Sequence, residues 1–233
     1  MFLSSLILIS LFTSSGRITA GTPPKRGGQS IEALKTRFPK VDFDAPEPQD
    51  PNEKASRRSK GKHFDNRGGV DEKPNHLSAG LINHWDMNLP PLPVKESTAV
   101  VIAETLNRGA FLSNDKMAVY TELAVKVEEV LKGSDLRKGQ RIDINRLGGV
   151  VRYNTGEESL FFIAGQNMPD VGKRYLFFLK ALADSPDFEI VTGYELSLRG
   201  VQALDSPSQF TQYNGGNVDQ LVDTARKAID SPQ

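Results

Sequence analysis

MAVYTELAVKVEEVLKG, residues 117–133, places Met117, Val119, Thr121, Leu123, Val125 and Val127 at every second position. Glu122, Lys126 and Glu128 fall in the other set, with Ala118, Tyr120 and Ala124. Successive side chains of a strand point to opposite faces, so a period of two predicts a half-buried β-strand. The run is about 11 residues long against a usual ~5–6. A strand of that length bends through a barrel or pairs along its length with two neighbours. At Glu128-Glu129 the alternation slips by one position, as a β-bulge or one helical turn would make it.

The neighbouring segments suit such pairing. Residues 98–106 (TAVVIAETL) are apolar on both faces at Val100, Val101, Ile102 and Ala103, the pattern of a central strand covered on both sides. Residues 108–116 read as a loop around Ser113-Asn114-Asp115, and 135–140 as a turn. RIDINRL (141–147) alternates, Gly148-Gly149 is a two-residue hairpin signal, and Val150-Val151-Arg152-Tyr153 returns from it. Asn154-Thr155-Gly156 turns again. SLFFIA (159–164) and RYLFFL (174–179) are strongly apolar strands, separated by Met168-Pro169-Asp170 and Gly172 as turn material. Residues 188–192 and 195–204 form a last hairpin around Gly193-Tyr194. Short strands at close spacing with turns between them predict a mainly β chain, an antiparallel barrel or compact sandwich. A C-terminal α-helix follows. Asn217 is its N-cap, and Val218, Leu221, Val222, Ala225 and Ile229 form one stripe. Arg226 and Lys227 in its last turn suit the helix dipole. It is expected to close one end of the barrel.

Across all 233 residues, hydrophobic content is 38% and formal net charge is +0. Mean hydropathy is −0.39, polar enough that part of the chain is expected to be unfolded. A neutral chain has no global field to attract nucleic acid or an acidic surface. Cysteine is absent. That removes disulfides, thiolate nucleophiles, Cys-based zinc sites and a lipid-modified N-terminal Cys.

Residues 2–12 (FLSSLILISLF) have the length of a signal-peptide apolar region and are too short to span a bilayer. Small residues follow, with cleavage after Ser15 or Ala20 as options, so 1–20 is expected to be a signal peptide and the mature protein exported, periplasmic or extracellular. No Lys or Arg precedes the apolar run. Residues 21–75 hold few large apolar side chains and several prolines, and predict a long disordered N-terminal arm. Within it Ile31, Leu34 and Phe38 share a helical face, the pattern of a short partner-binding motif or of stray apolar residues in a tail. Arg26-Gly27-Gly28, Arg67-Gly68-Gly69 and the basic run 54–62 suggest either RNA binding or a solvated linker. Residues 76–96 are expected to lie across the core as an extended segment anchored by Trp85. Leu77, Leu81 and Ile82 lie at helical spacing, and the prolines at 90, 91 and 93 exclude helix. His76, His84 and Asp86 are metal-ligand types, but their spacing fits no usual zinc pattern. The β domain is expected over 97–233.

Several stretches carry a resemblance. Val119-Tyr120-Thr121-Glu122 runs into Val127-Glu128-Glu129-Val130-Leu131-Lys132-Gly133. Gly148-Gly149-Val150-Val151-Arg152 follows, then Met168-Pro169, Val171-Gly172-Lys173-Arg174-Tyr175 and Thr192-Gly193-Tyr194-Glu195-Leu196. Over residues 92–229 the chain resembles a group of small exported bacterial proteins of uncharacterised function, and is similar to OB-like barrels that serve as accessory modules in such proteins. The resemblance implies a five- or six-stranded OB-like barrel and an envelope or extracellular location. It implies no activity.

Chemistry is sparse. G-x-S-x-G, H-E-x-x-H, Walker A and G-x-G-x-x-G motifs are all missing, and none of the three His lies in the β domain. Glu128-Glu129 and Glu157-Glu158 are adjacent pairs, which point apart on a strand and do not converge as a catalytic pair does. Residues 184–187 (DSPD) read as a turn rather than a calcium loop. OB-like barrels bind oligonucleotides or oligosaccharides on one face. Arg146, Arg152, Tyr153, Arg174 and Tyr175 are candidates for such a face, whereas Phe161, Phe162, Phe177 and Phe178 are expected in the core. No catalytic, metal or cofactor site is assigned. The favoured expectation is a non-enzymatic interaction module with an envelope or extracellular protein partner. The alternatives are a hydrolase or inhibitor with an unrecognised site, and oligosaccharide or nucleic-acid binding.

Overall fold

The computed structural model describes residues 31–70, the backbone of 79–82, and residues 88–231. Residues 1–20, where a signal peptide is expected, Arg26-Gly27-Gly28, His76, His84, Trp85 and Asp86 lie outside the described residues. In chain order the elements are α1 (Ile31–Lys35), β1 (Lys40–Asp42), α2 (Pro51–Lys62), β2 (Ala79–Ile82), β3 (Ala99–Leu112) and β4 (Val119–Lys132). Then come β5 (Arg141–Leu147), β6 (Gly149–Arg152), β7 (Glu158–Ile163), β8 (Arg174–Ala181), β9 (Phe188–Ser197), β10 (Gly200–Ala203), α3 (Ser208–Thr211) and α4 (Val218–Asp230).

The chain is mainly β. A six-stranded sheet runs β10-β9-β5-β4-β3-β8, and a four-stranded sheet runs β1-β6-β7-β2. The larger sheet is antiparallel except where β5 meets β9 at Ile144↔Phe188 and Asn145↔Glu189. Strand β8 pairs with β9 as well as with β3, so the pairings lead from β3 through β4, β5, β9 and β8 back to β3. Val101, Ala103, Leu123, Val125, Ile144 and Phe177 fill one cluster. Val100, Ile102, Leu176, Phe178 and Tyr194 face the other way, against Leu221, Val222 and Ala225 of α4. The apolar character of β3 on both faces therefore reflects burial on both sides. Asn217 Oδ1 accepts from Gln220 N at 3.0 Å and caps α4 as expected.

Strand β4 falls within the predicted run. Ile102 pairs with Glu129 and Ala103 with Val127, so Glu128 is an extra residue and the slip is a β-bulge. Four expectations are corrected. Strand β3 continues to Leu112 instead of yielding to a loop at 108, because its second half pairs with β4 down to Leu112↔Val119. Gly148-Gly149 is not a hairpin: β5 belongs to one sheet and β6 to the other. Gly148 has φ +118°, and a Cβ there would lie 3.0 Å from Met168 Cε and 3.2 Å from the Phe161 carbonyl, so the chain crosses sheets where a side chain has no room. The last hairpin does not turn at Gly193, since β9 passes through it and the turn falls at Leu198-Arg199. Gly193 is present for close approach, its absent Cβ lying 3.1 Å from Phe177 Cδ1. The helical spacing of Leu81 and Ile82 is also overruled, because 79–82 pairs with β7 as a parallel strand.

The disordered-arm expectation is corrected over 31–70. Asp50 Oδ1 accepts from Asn52 N and Glu53 N at 2.8 and 2.9 Å and caps α2, with Pro51 in its first turn. Phe38, Phe64 and Val70 are buried. Each packs into a cluster with strand residues, while Leu34, Val41 and Phe43 are half-buried and Ile31 is exposed, so three buried anchors tie this sparse segment to the β core. Leu89 and Leu92 also pack on the core, and Tyr194 Oη donates to the Pro91 carbonyl at 2.5 Å.

Candidate functional site

Helix α2 lies along the outer face of β4, β5 and β9. Alternation puts Leu123, Val125 and Ile144 on one face, which leaves Glu122, Asp143 and Asn145 on the opposite face, where Asn145 is buried. Lys60, on the last turn of α2, inserts among the carboxylates. Its Nζ donates to Glu122 Oε2 at 2.6 Å and Asp143 Oδ2 at 2.8 Å, and lies 3.2 Å from Asp187 Oδ2. The side chains of Lys60, Glu122 and Asp187 are 11%, 12% and 6% exposed. Burial alone would pull the Lys60 ammonium down. Hydrogen bonds to Asp143 and Glu122 and the charges of Glu122 and Asp187 outweigh it, and its pKa rises above the ordinary lysine value. Burial pushes the Asp187 carboxyl up, against the opposing pull of Lys60. Ligand oxygens of Glu122, Asp143 and Asp187 lie within 4.8 Å of one another, a spacing that could hold a metal ion. Here a lysine ammonium supplies the positive charge among them.

The rest of residues 51–70, which form a strap over the strands, is held in the same manner. Arg57 Nη1 donates to Glu122 Oε2 at 3.1 Å, and Arg67 holds Glu189 through both terminal nitrogens at 3.2 and 2.7 Å. Phe64 stacks on Tyr120 with ring centroids 4.3 Å apart. Burial raises the Tyr120 phenol to about 12, so it stays neutral.

On the other side of α2 opens a cleft of about 430 Å³, bounded by β1, the segment after it, and the turn between β3 and β4. Phe43, Phe111 and Leu112 give it apolar walls, and Lys54, Arg57, Arg58 and Lys116 stand around it. The Arg57 guanidinium sits 3.6 Å over the Phe111 ring, and Lys116 Nζ 4.8 Å over Phe43. Lys54 and Arg58 both engage Glu47. These bonds hold Glu47 below the usual carboxylate range, and the Arg152 hydrogen bond does the same for Asp42. A second cleft of similar size, beside Phe38 and Phe162, has Arg37 as its sole charged lining residue.

The basic-aromatic candidates from the sequence do not converge. Arg146 is buried and bonded to Asp205 at 2.8 Å, Gln166 at 3.2 Å and the Asn167 carbonyl at 2.8 Å. Tyr153 and Tyr175 are buried. Arg152 is exposed and held by Asp42, and Arg174 by Glu128. Phe161, Phe177 and Phe178 are buried as expected. Glu128 and Glu129 diverge, one to Arg174 and the other to Arg226. Sequence reasoning missed the Lys60 cluster, because its members come from four separated segments. The basic run 54–62 was a signal, although it read as a solvated linker or an RNA-binding stretch and not as a partner for the chain's own carboxylates. No protein-family model matches the chain, and no curated protein matches it.

Proposed function

We propose that this is an exported, non-enzymatic binding module built on an OB-like barrel, and that the cleft between α2 and the β3–β4 turn receives its ligand. The returning pairings of β3, β4, β5, β9 and β8, with the short parallel contact of β5 to β9, support the barrel reading. The observation that carries the binding reading is the cleft itself. At about 430 Å³ it has the size of a small-molecule site. It combines aromatic walls with polar groups at fixed positions. Two of its carboxylates favour binding over catalysis: a general acid or base needs a pKa near the working pH, and Arg152 holds Asp42, and Lys54 and Arg58 hold Glu47, in the opposite direction.

The reading is tested by amide-resolved NMR titration of the mature chain against a panel of small amphiphiles. Shifts concentrated at Phe43, Phe111 and Lys116 support it, and a panel that perturbs only other surfaces refutes it. Export is tested separately by intact mass. Secreted protein that still begins at Met1 would sink the signal-peptide reading.

A further inference from the structure

The turn between β3 and β4 contains a residue out of place. Lys116 has φ +56°, a left-handed conformation that glycine or asparagine adopts more easily. Among the described residues the other two non-glycine residues in this region of φ are Asn66 and Asp184, whose short polar side chains suit it. Lysine has no such local compensation. Its ammonium donates to the Phe43 carbonyl at 3.0 Å and lies over the Phe43 ring. It joins no ion pair among the described residues. An outlying backbone conformation therefore holds an unpaired cation at the rim of an aromatic cleft, opposite Lys54 and Arg58, which share one carboxylate.

From this juxtaposition we infer that the cleft takes a small organic anion with an apolar body. The anionic group meets Lys116, and the body lies between Phe43 and Phe111. The inference rests on the reading of the cleft as the ligand site and adds the chemical class of its ligand. The lining has five basic residues, Lys40, Lys54, Arg57, Arg58 and Lys116, against Asp42, Glu47 and Glu53. Lys40 is paired with Glu158, Arg57 with Glu122, and Lys54 and Arg58 with Glu47, so Lys116 is the lining cation with no carboxylate partner among the described residues, and an anion entering the cleft is attracted there. The exposed Lys116 ammonium can add a charge-assisted hydrogen bond to an anion at the rim, and such bonds are stronger than neutral ones.

Two fluorescent probes of the same shape separate charge from apolar burial: anilinonaphthalene sulfonate and its uncharged counterpart N-phenyl-1-naphthylamine. Each is titrated into the full mature chain and into Lys116→Gly, a change that relieves the backbone and preserves the fold. The wild type should bind the sulfonate about tenfold more tightly than the amine, and Lys116→Gly should lose about that factor for the sulfonate alone. Equal affinity for the two probes, or a sulfonate affinity indifferent to Lys116→Gly, overturns the anion assignment and leaves the cleft as an apolar site. Failure of both probes to bind the wild type overturns the cleft reading together with it.

Discussion

Arg146 is 1% exposed and Asp205 0%, and every polar atom of the guanidinium finds a partner. Thr192 Oγ1 also donates to Asp205 at 2.8 Å. Such a pair contributes little over an apolar isostere, but removing one member strands the other charge. Asp205→Ala should lower unfolding free energy by about 3–5 kcal/mol, read from urea denaturation, and a loss below about 1 kcal/mol would mean that water reaches the guanidinium. Lys60 makes a different prediction. The folded chain holds its proton more tightly than the unfolded chain does. Its contribution is complete below the ordinary lysine pKa of about 10.4 and is lost progressively as pH rises above that value. The wild type should therefore lose stability as pH rises from about 10.4 to about 12, and Lys60→Met, already deprived of the contribution, should lose less over that window. Parallel profiles for the two proteins would remove Lys60 from the account.

Helix α2 has 12 residues, PNEKASRRSKGK, with no large apolar side chain among them. An isolated helix of that length is marginal in water. Its order comes from the cap at Asp50, the ion pairs to Glu122 and Asp143, and the Phe64–Tyr120 stack that follows it. Asp50→Ala should cost about 1 kcal/mol. The cost should appear as faster amide exchange within 51–62 while exchange in β3 and β8 stays unchanged; uniform acceleration would show that the strap does not open separately. Strand β9 is constrained at one point, where Gly193 meets Phe177. Gly193→Ala should destabilise by about 1–3 kcal/mol through overpacking, and an unchanged denaturation midpoint would show that the strand yields.

Residues 31–70 contribute Phe38, Phe64 and Val70 to three apolar clusters of the strands, separate from the cluster that α4 covers. A chain beginning at Leu92 would bare Tyr120 and leave Glu122, Asp143, Asp187 and Glu189 facing water without Lys60, Arg57 and Arg67. Calorimetry should show a lower melting temperature than for the mature chain, part of it regained in about 0.5 M salt as like-charge repulsion is screened. Equal melting temperatures would make the strap an appendage.

The mainly β class, the long strand β4 and its bulge, the buried faces of β3 and β8, and the capped helix α4 were legible because each is written in a local period or a local cap. Residues 141–147 and 174–179 likewise matched strands because their neighbours are apolar on the expected faces. The strap was illegible. Its composition is that of a solvated tail, and much of what orders it, Glu122, Asp143, Asp187 and Tyr120, is supplied by segments far along the chain. The glycines at 148 and 193 read as turns because a missing side chain looks the same whether the backbone must bend or another atom must come close. Arg146 read as a surface cation because its counter-ion lies 59 positions away. Local periodicity determined the elements; long-range charge pairing and close approach, which leave no period in a chain, decided which faces are covered and where the cleft opens.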